Sequence, residues 1–374
     1  MKYWRGYITA ALFLALTLAL QGFADKYSRL VDMVYPYVSR MIQTILADWS
    51  AGFDFCMWQV LIVVLAVLVI ASIVLMVLLR WNFVQWLGWI LACASILFCL
   101  HTGIYGLNTK SGPLADDIRL NVTEFTTSEL VEATTYYRDK ANEYCAQLPR
   151  DEDRKLQLPT FGEMAENAGS GFKTLTLDRS FSVFGGSTQP VKELGMSDLF
   201  TSKGIDGFTV PLTAEAMVNP QIPGICIPFT MCREMARRMC IAREQDSNMA
   251  AFLACQANED PLFQYSGYLM AYRYCYNALA SESTSTAKTA AEKLQTGLDP
   301  RVQQDLADCG EYFQQIEKKS SGDKDNRTQI NGEICTLLVS WYIQDIYIPS
   351  HQNDVEKFDP FDPAKVGLAE STGG

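Results

Sequence analysis

Histidine is scarce in this chain of 374 residues, and His101 and His351 are the only two. A site that needs two or three clustered imidazoles therefore cannot be assembled within it. Basic side chains are also in the minority, because 31 Lys and Arg stand against 42 Asp and Glu and the formal net charge is −11. A nucleic-acid-binding domain presents a basic face, so this balance argues against a nucleic-acid partner. The sequence has no GxSxG, Walker or dinucleotide-binding motif, and so lacks the common signatures of serine hydrolases and nucleotide-dependent enzymes.

The eleven cysteines are not spaced as zinc ligands usually are, since no CxxC pair occurs. Cys232 and Cys240 lie eight residues apart on one predicted helix. That is about 12 Å along its axis, too far for both to bind one tetrahedral metal ion. Three cysteines precede residue 105 and eight follow it. An even number permits disulfides in an oxidising compartment, but the spacing does not fix which cysteines would pair.

Three long apolar runs contain almost no charge: 7–24, 57–79 and 81–104. A helix needs about 20 apolar residues to cross the hydrocarbon core of a bilayer, so each run predicts a membrane-spanning helix and residues 1–104 form a membrane domain. Tryptophans at positions 58, 81, 86 and 89 lie near the ends of two runs, as indole rings do at a lipid–water interface. The first run also resembles a cleavable signal peptide, and that alternative stays open.

The basic residues that flank the apolar runs predict their orientation. Lys2 and Arg5 precede the first run, and Arg80 lies in the short turn between the second and third. Loops rich in Lys and Arg stay in the cytoplasm, so residues 25–56 and everything after residue 104 are expected on the other side. The sequence therefore predicts a multi-pass protein of the cell membrane with an extracytoplasmic C-terminal domain.

The segment 27–48 has apolar residues at helical spacing with charged residues between them. An amphipathic helix that lies on the membrane, or beneath the soluble domain, would have this pattern. An ordinary surface helix that covers the base of the domain fits equally well. Pro36 falls inside the pattern, so a kinked or split helix is expected.

Residues 105–348 read as a soluble domain of helices with a few short strands. Helices are predicted at about 126–147, 229–243, 247–257, 261–282, 299–319 and 329–347. Short strands are predicted at 208–210 and 216–218, a β-prone piece at 173–177, and a linker at 281–290. The fold class is therefore mainly α with a small β-sheet (α+β). Residues 349–374 form a polar C-terminal tail.

Most of residues 1–310, and above all residues 205–270, resemble a bacterial family of membrane proteins with a domain of unknown function. Members of that family have N-terminal transmembrane helices followed by a domain like the gluzincin metallopeptidases. The resemblance rests on Arg233-Glu234-Met235-Ala236-Arg237, on Glu244 to Asn248, on Tyr265-Ser266-Gly267-Tyr268, and on Tyr105-Gly106-Leu107-Asn108 just after the membrane. It implies a degenerate zincin-like fold for residues 105–348.

The resemblance also implies roles for individual positions. Family members have histidine where this chain has Arg233 and Arg237, and a glutamate ligand where it has Asp246. Their two imidazoles, at i and i+4 on one helix, bind zinc together with that carboxylate, and the equivalent of Glu234 is the general base. A guanidinium has no lone pair to offer and stays protonated, so no zinc and no other cofactor is expected here. Glu234 would then be a vestigial base.

Three further expectations concern how these positions are arranged. An ion pair of Arg233 and Arg237 with Asp246, in which Glu234 could take part, is expected to replace the cross-link that zinc supplies. Without the flanking resemblance, the same residues read as a solvated basic helix face. Glu215 and Asn219 are expected on an edge strand, either as a groove for an extended peptide or as solvated polar residues.

The sequence therefore predicts a membrane-anchored, extracytoplasmic pseudo-peptidase that binds a protein, a peptide or a wall component, in addition to the lipid bilayer. Two alternatives remain. One is an active hydrolase with a rearranged metal site built from Glu234, Glu244, Asp246 and a nearby cysteine. The other is a purely structural membrane protein.

Overall fold

Three helices of the computed structural model are long and apolar enough to cross a membrane, which confirms that prediction. They are α1 (Arg5–Lys26), α3 (Met57–Leu78) and α4 (Phe83–Ile104). The structure describes residues 4–152, 155–319 and 324–350, without the side chains of residues 179, 311, 313 and 315–328. Lys2, His351 and most of the predicted polar tail lie outside these ranges.

Two of the membrane helices, α1 and α4, pack closely through small residues. A Cβ atom on Gly6 would lie only 2.4 Å from the carbonyl carbon of Gly88, so this approach needs glycine at position 6. Thr17 and Ala24 of α1 and Ala92 of α4 are also buried. Small residues at such contacts are typical of helix pairs in membranes. By contrast, none of the residues of α3 is buried.

Between α1 and α3 lies the amphipathic helix α2 (Ser28–Ala51), which is continuous through Pro36 and is therefore not split there. Its buried face is largely polar, and its other face exposes large apolar side chains. The exposed set is Leu30, Met33, Val34, Tyr37, Val38, Met41, Ile45 and Trp49. An exposed apolar face beside three membrane-capable helices is the arrangement of an interfacial helix.

The polar face of α2 joins the membrane helices to the soluble domain. Tyr35 donates a hydrogen bond of 3.1 Å to the carbonyl oxygen of Thr102, and Ser39 donates one of 2.6 Å to that of Ile104. On the side of the domain, Arg40 donates to the carbonyl oxygen of Met239 over 3.1 Å, and Gln43 to that of Pro211 over 2.9 Å. The helix therefore lies beneath the domain while its apolar face stays uncovered.

The soluble domain is mainly helical with one small sheet, as predicted. Its helices are α5 (Leu114–Asp117), α6 (Thr127–Cys145), α7 (Phe161–Asn167), α8 (Ser170–Leu175), α9 (Ser197–Ser202), α10 (Ile227–Arg238), α11 (Glu244–Gln256), α12 (Pro261–Ser281), α13 (Ser285–Thr296), α14 (Pro300–Lys319) and α15 (Lys324–Tyr342). The strands β1 (Lys192–Glu193), β2 (Gly207–Val210) and β3 (Glu215–Val218) form a sheet in the order β1-β3-β2, in which β3 is parallel to β1 and antiparallel to β2.

Local capping signals explain where two of the long helices begin. Thr126 accepts a hydrogen bond from the backbone of Glu129, whose carboxylate returns to Thr126 in a capping box, and α6 follows. Asp260 caps α12 by accepting a hydrogen bond from the backbone nitrogen of Leu262, with Pro261 in the first helical position. Two expectations from composition are wrong. Residues 173–177 end helix α8 instead of forming a strand, and the predicted linker 281–290 contains the start of α13, capped by Thr284.

The uncovered face of α2 predicts direct contact with lipid. A nitroxide attached to a cysteine at Met41, in a Cys93→Ala background, should be more accessible to oxygen than to a water-soluble nickel chelate in power-saturation EPR of the protein in bilayers. Leu177 provides the control, because its side chain is 84% exposed on the soluble domain and a probe there should show the opposite preference. Equal accessibility to the nickel chelate at both positions would place α2 in water.

Candidate functional site

Helix α10, which carries the Arg-Glu-Met-Ala-Arg segment, is an interior helix of the soluble domain. All its residues except Arg237 are buried, and α11, α12 and the sheet pack around it. The interpretation of this segment as a solvated basic face is therefore wrong. Its charged side chains need partners inside the protein, because an unpaired buried charge is strongly unfavourable.

Arg233 finds its main partner in Asp206, the residue immediately before β2. Its two terminal nitrogens donate to the two carboxylate oxygens of Asp206 over 3.0 and 2.8 Å, which is the bidentate geometry that a guanidinium favours. Its Nε atom donates to Glu234 Oε1 over 3.1 Å. Burial works to raise the pKa of Asp206, but the Arg233 guanidinium outweighs it and lowers that pKa below its ordinary value.

Glu234 is enclosed by donors, and its side chain has no exposed surface. Oε1 accepts from Arg233 and, over 3.2 Å, from Nη1 of Arg237. Oε2 accepts from the hydroxyl of Thr209 on β2 over 3.1 Å, and the same hydroxyl reaches the backbone oxygen of Glu234 at 2.9 Å. The position of the expected general base is thus the centre of an ion-pair network.

Arg237 is partly exposed, with 24% of its side chain accessible. Besides Glu234 it contacts the hydroxyl of Ser247 on α11, at a long 3.4 Å. Its backbone oxygen accepts a hydrogen bond of 2.8 Å from Tyr105, which directly follows the membrane helix α4. The end of α10 therefore lies next to the end of that helix.

Asp246 is not part of this network, so the expected ion pair with Arg233 and Arg237 is wrong. It lies in the first turn of α11, where its Oδ2 atom accepts from Arg243 Nε over 2.9 Å and from the backbone nitrogen of Leu114 over 3.2 Å. Arg243 is only three residues away, so it reaches this carboxylate more easily than the arginines of α10. Burial raises the pKa of Asp246, and Arg243 only partly opposes that rise.

Glu215 and Asn219 do not form the edge of a groove, because β3 is the central strand of the sheet. The Glu215 carboxylate is fully buried and accepts from the backbone nitrogens of Met57 and Trp58, over 2.7 and 2.8 Å, at the start of α3. It also accepts from Lys192 over 2.8 Å and from Thr213. It therefore caps a membrane helix.

Asn219, just after β3, has a structural role as well. Its amide nitrogen donates to the hydroxyl of Thr201 and to the backbone oxygen of Ile205. Its amide oxygen accepts from the backbone nitrogen of Gln221. The edge strand that neighbours α10 in the described part of the chain is β2 instead.

The donor set around α10 does not fit a zinc ion. The two positions that would offer imidazole nitrogens offer cationic donors, and each of them is bonded to a carboxylate. In the described parts of the chain, no three His, Cys, Asp or Glu side chains converge in the way that a metal site requires.

Sequence reasoning missed several partners that complete this region. Asp206, Thr209, Arg243 and Lys192 each bond one of the predicted residues, although none was singled out. Asp206 offered a weak signal, since it is an acid two residues before a predicted strand. Lys192 offered none, because its strand is only two residues long.

Comparison with known families gives one match. A family model described as "Protein of unknown function (DUF3810)" matches residues 30–326, about four fifths of the chain. No curated protein and no solved structure matches.

The Arg233–Asp206 pair predicts a clear effect on stability. Asp206→Ala leaves the Arg233 side chain, which is 10% exposed, with Glu234 as its only carboxylate partner. The free energy of unfolding should fall by about 3 kcal/mol, because one partner of a buried pair is lost. Thermal unfolding of the whole protein in detergent measures this. Glu143→Ala is the control, since it breaks the exposed pair with Lys140 and should cost under about 1 kcal/mol. Equal, small losses would mean that the Asp206 pair is solvated.

Proposed function

The chain belongs to the DUF3810 family of proteins of unknown function, and we propose that it is a membrane-anchored, extracytoplasmic pseudo-peptidase that binds an extended peptide or protein partner without cleaving it. The observation that carries this proposal is the state of Glu234, which is buried between Arg233 and Arg237.

The chemistry of these three residues supports the loss of catalysis. A zinc peptidase needs two neutral nitrogen ligands and a carboxylate free to take a proton from a metal-bound water. In this chain, guanidiniums stand at both positions that would hold the imidazole ligands. Three of the roughly four acceptor sites of the Glu234 carboxylate are taken by Arg233, Arg237 and Thr209. The network thus fills the position that a metal and its water would need.

The edge of the sheet supports a role in binding. Strand β2 ends the sheet beside α10, and Thr209 ties it to Glu234. An open strand edge offers backbone groups to an extended peptide, which adds to the sheet as a further strand. The proposed binding edge is therefore β2, with Arg237 as the nearest partly exposed cation.

Charge around the membrane helices supports the extracytoplasmic location. The domain accepts hydrogen bonds from Tyr105, directly after the C-terminal end of α4, and from Met57 at the N-terminal end of α3, so it lies on one side of the helices. Arg5 and Arg80 lie at the opposite helix ends. Because basic flanks stay in the cytoplasm, this arrangement favours a domain outside it.

An active hydrolase with a rearranged metal site is less well supported. Glu234 and Asp246 would both have to be ligands, but each is bonded to different arginines, Glu234 to those of α10 and Asp246 to Arg243. The purified protein should accordingly contain no stoichiometric zinc at this site.

Restoring the family's ligands should restore the metal. The triple variant Arg233→His, Arg237→His and Asp246→Glu provides two imidazoles one helical turn apart and a longer carboxylate. We expect one zinc ion per folded chain, measured by elemental analysis after gel filtration and removed by a chelator. The control is Arg237→His with Asp246→Glu, which provides a single imidazole and should not retain zinc. A folded triple variant without zinc would contradict the assignment of the site.

A binding role should be visible in intact cells. A photo-reactive amino acid at Leu212, two residues after β2, should give one defined cross-linked product, whereas the same residue at exposed Leu177 should give none. Identical patterns at the two positions would favour a purely structural membrane protein, because a binding partner contacts one surface and not all of them.

A further inference from the structure

The cysteines of the soluble domain are arranged mainly in pairs. All eight are buried, and none forms a disulfide in this structure. Six of them lie beside another cysteine in the core: Cys226 beside Cys309, Cys232 beside Cys255, and Cys275 beside Cys335. The other two have polar neighbours instead, Arg150 for Cys145 and Ser39 for Cys240.

Each pair connects two different elements of the core. Cys232 and Cys255 join α10 to α11, and these helices pack directly against each other. Cys275 and Cys335 join α12 to α15, which also pack together. Cys226, in the 3-10 turn before α10, meets Cys309 of α14. The partners are far apart in sequence, so the fold and not local spacing brings them together.

This arrangement differs from that of either a metal site or ordinary packing. A structural zinc site needs four ligands at one point, and here the thiols meet two at a time. A buried thiol packs well as a small apolar group next to any side chain, so packing alone gives no reason for three separate pairs. Adjacent side chains from distinct elements are what a disulfide requires.

We propose that Cys226–Cys309, Cys232–Cys255 and Cys275–Cys335 are disulfides in the mature protein, whereas Cys145 and Cys240 remain thiols. The inference rests on the proposed extracytoplasmic location, because disulfides persist in oxidising compartments. Each bond forms by thiol–disulfide exchange with a protein disulfide oxidant. Two thiols lose two protons and two electrons, one S–S bond forms, and the disulfide of the oxidant is reduced to a dithiol.

Oxidation has to occur while the chain folds. Burial raises the pKa of the Cys255 and Cys275 thiols well above its ordinary value, so in the folded domain they stay protonated and out of reach of an oxidant. Once formed, the bonds would be equally protected from reduction.

Alkylation of the full chain tests this pairing. The protein is produced in the membrane of a bacterium with a disulfide-forming system, quenched with acid and denatured. One sample is treated with N-ethylmaleimide directly, and a second sample is treated with it after reduction. Peptide mapping should show the six paired cysteines modified only after reduction, and Cys145 and Cys240 modified in both samples. Unreduced digests should contain the three disulfide-linked peptides.

Two variants test which cysteine pairs with which. Cys226→Ser should release one additional thiol, that of Cys309, whereas Cys145→Ser should leave the six protected thiols unchanged. Release of a different thiol, or modification of all eight without reduction, would overturn the inference.

A C-terminal alkaline phosphatase fusion reports the side of the membrane independently. Free thiols with an active fusion refute the disulfides alone, and free thiols with an inactive fusion refute the proposed location as well.

Discussion

The buried carboxylate of Glu215 connects the two halves of this protein. It accepts hydrogen bonds from the first backbone nitrogens of the membrane helix α3, where the helix dipole favours a negative charge. Lys192 balances that charge and also donates to the backbone oxygens of Ser50 and Phe55, between α2 and α3. One salt bridge therefore ties the sheet, the end of α2 and the start of α3 together. The positions of β2 and α10 depend on that link, because β2 pairs with β3 and α10 packs against both strands.

The candidate site is built from balanced charges in the same way. Arg233 is paired with Asp206 and Glu234, Arg237 with Glu234, and Arg243 with Asp246. Buried pairs of this kind add little net stability compared with a packed apolar core, because each charge loses its hydration. They are specific, however, since removal of one partner leaves an uncompensated charge. The arrangement of α10, α11 and β2 is therefore fixed by pairing.

Local signals were enough to predict much of the fold from sequence. The membrane helices follow from the length of their apolar runs, and α6 and α12 begin at caps that the sequence displays. The site was harder, because the partner of a buried charge is chosen by tertiary contacts. Asp246 pairs with nearby Arg243, and Arg233 pairs with Asp206, which lies 27 positions away. Glu215 looked like an edge residue because the two-residue strand β1, which makes β3 central, has no recognisable pattern.

The contacts of α2 restrict what the soluble domain can reach. Hydrogen bonds hold one face of this helix to the ends of the membrane helices and to the domain at the same time. Within the described residues, α2 therefore holds the domain directly against the ends of the membrane-capable helices, and the thickness of one helix is about 10 Å. A partner of the kind proposed above would therefore have to reach the domain close to the lipid surface, either on a neighbouring membrane protein or in the layer of solvent next to the headgroups.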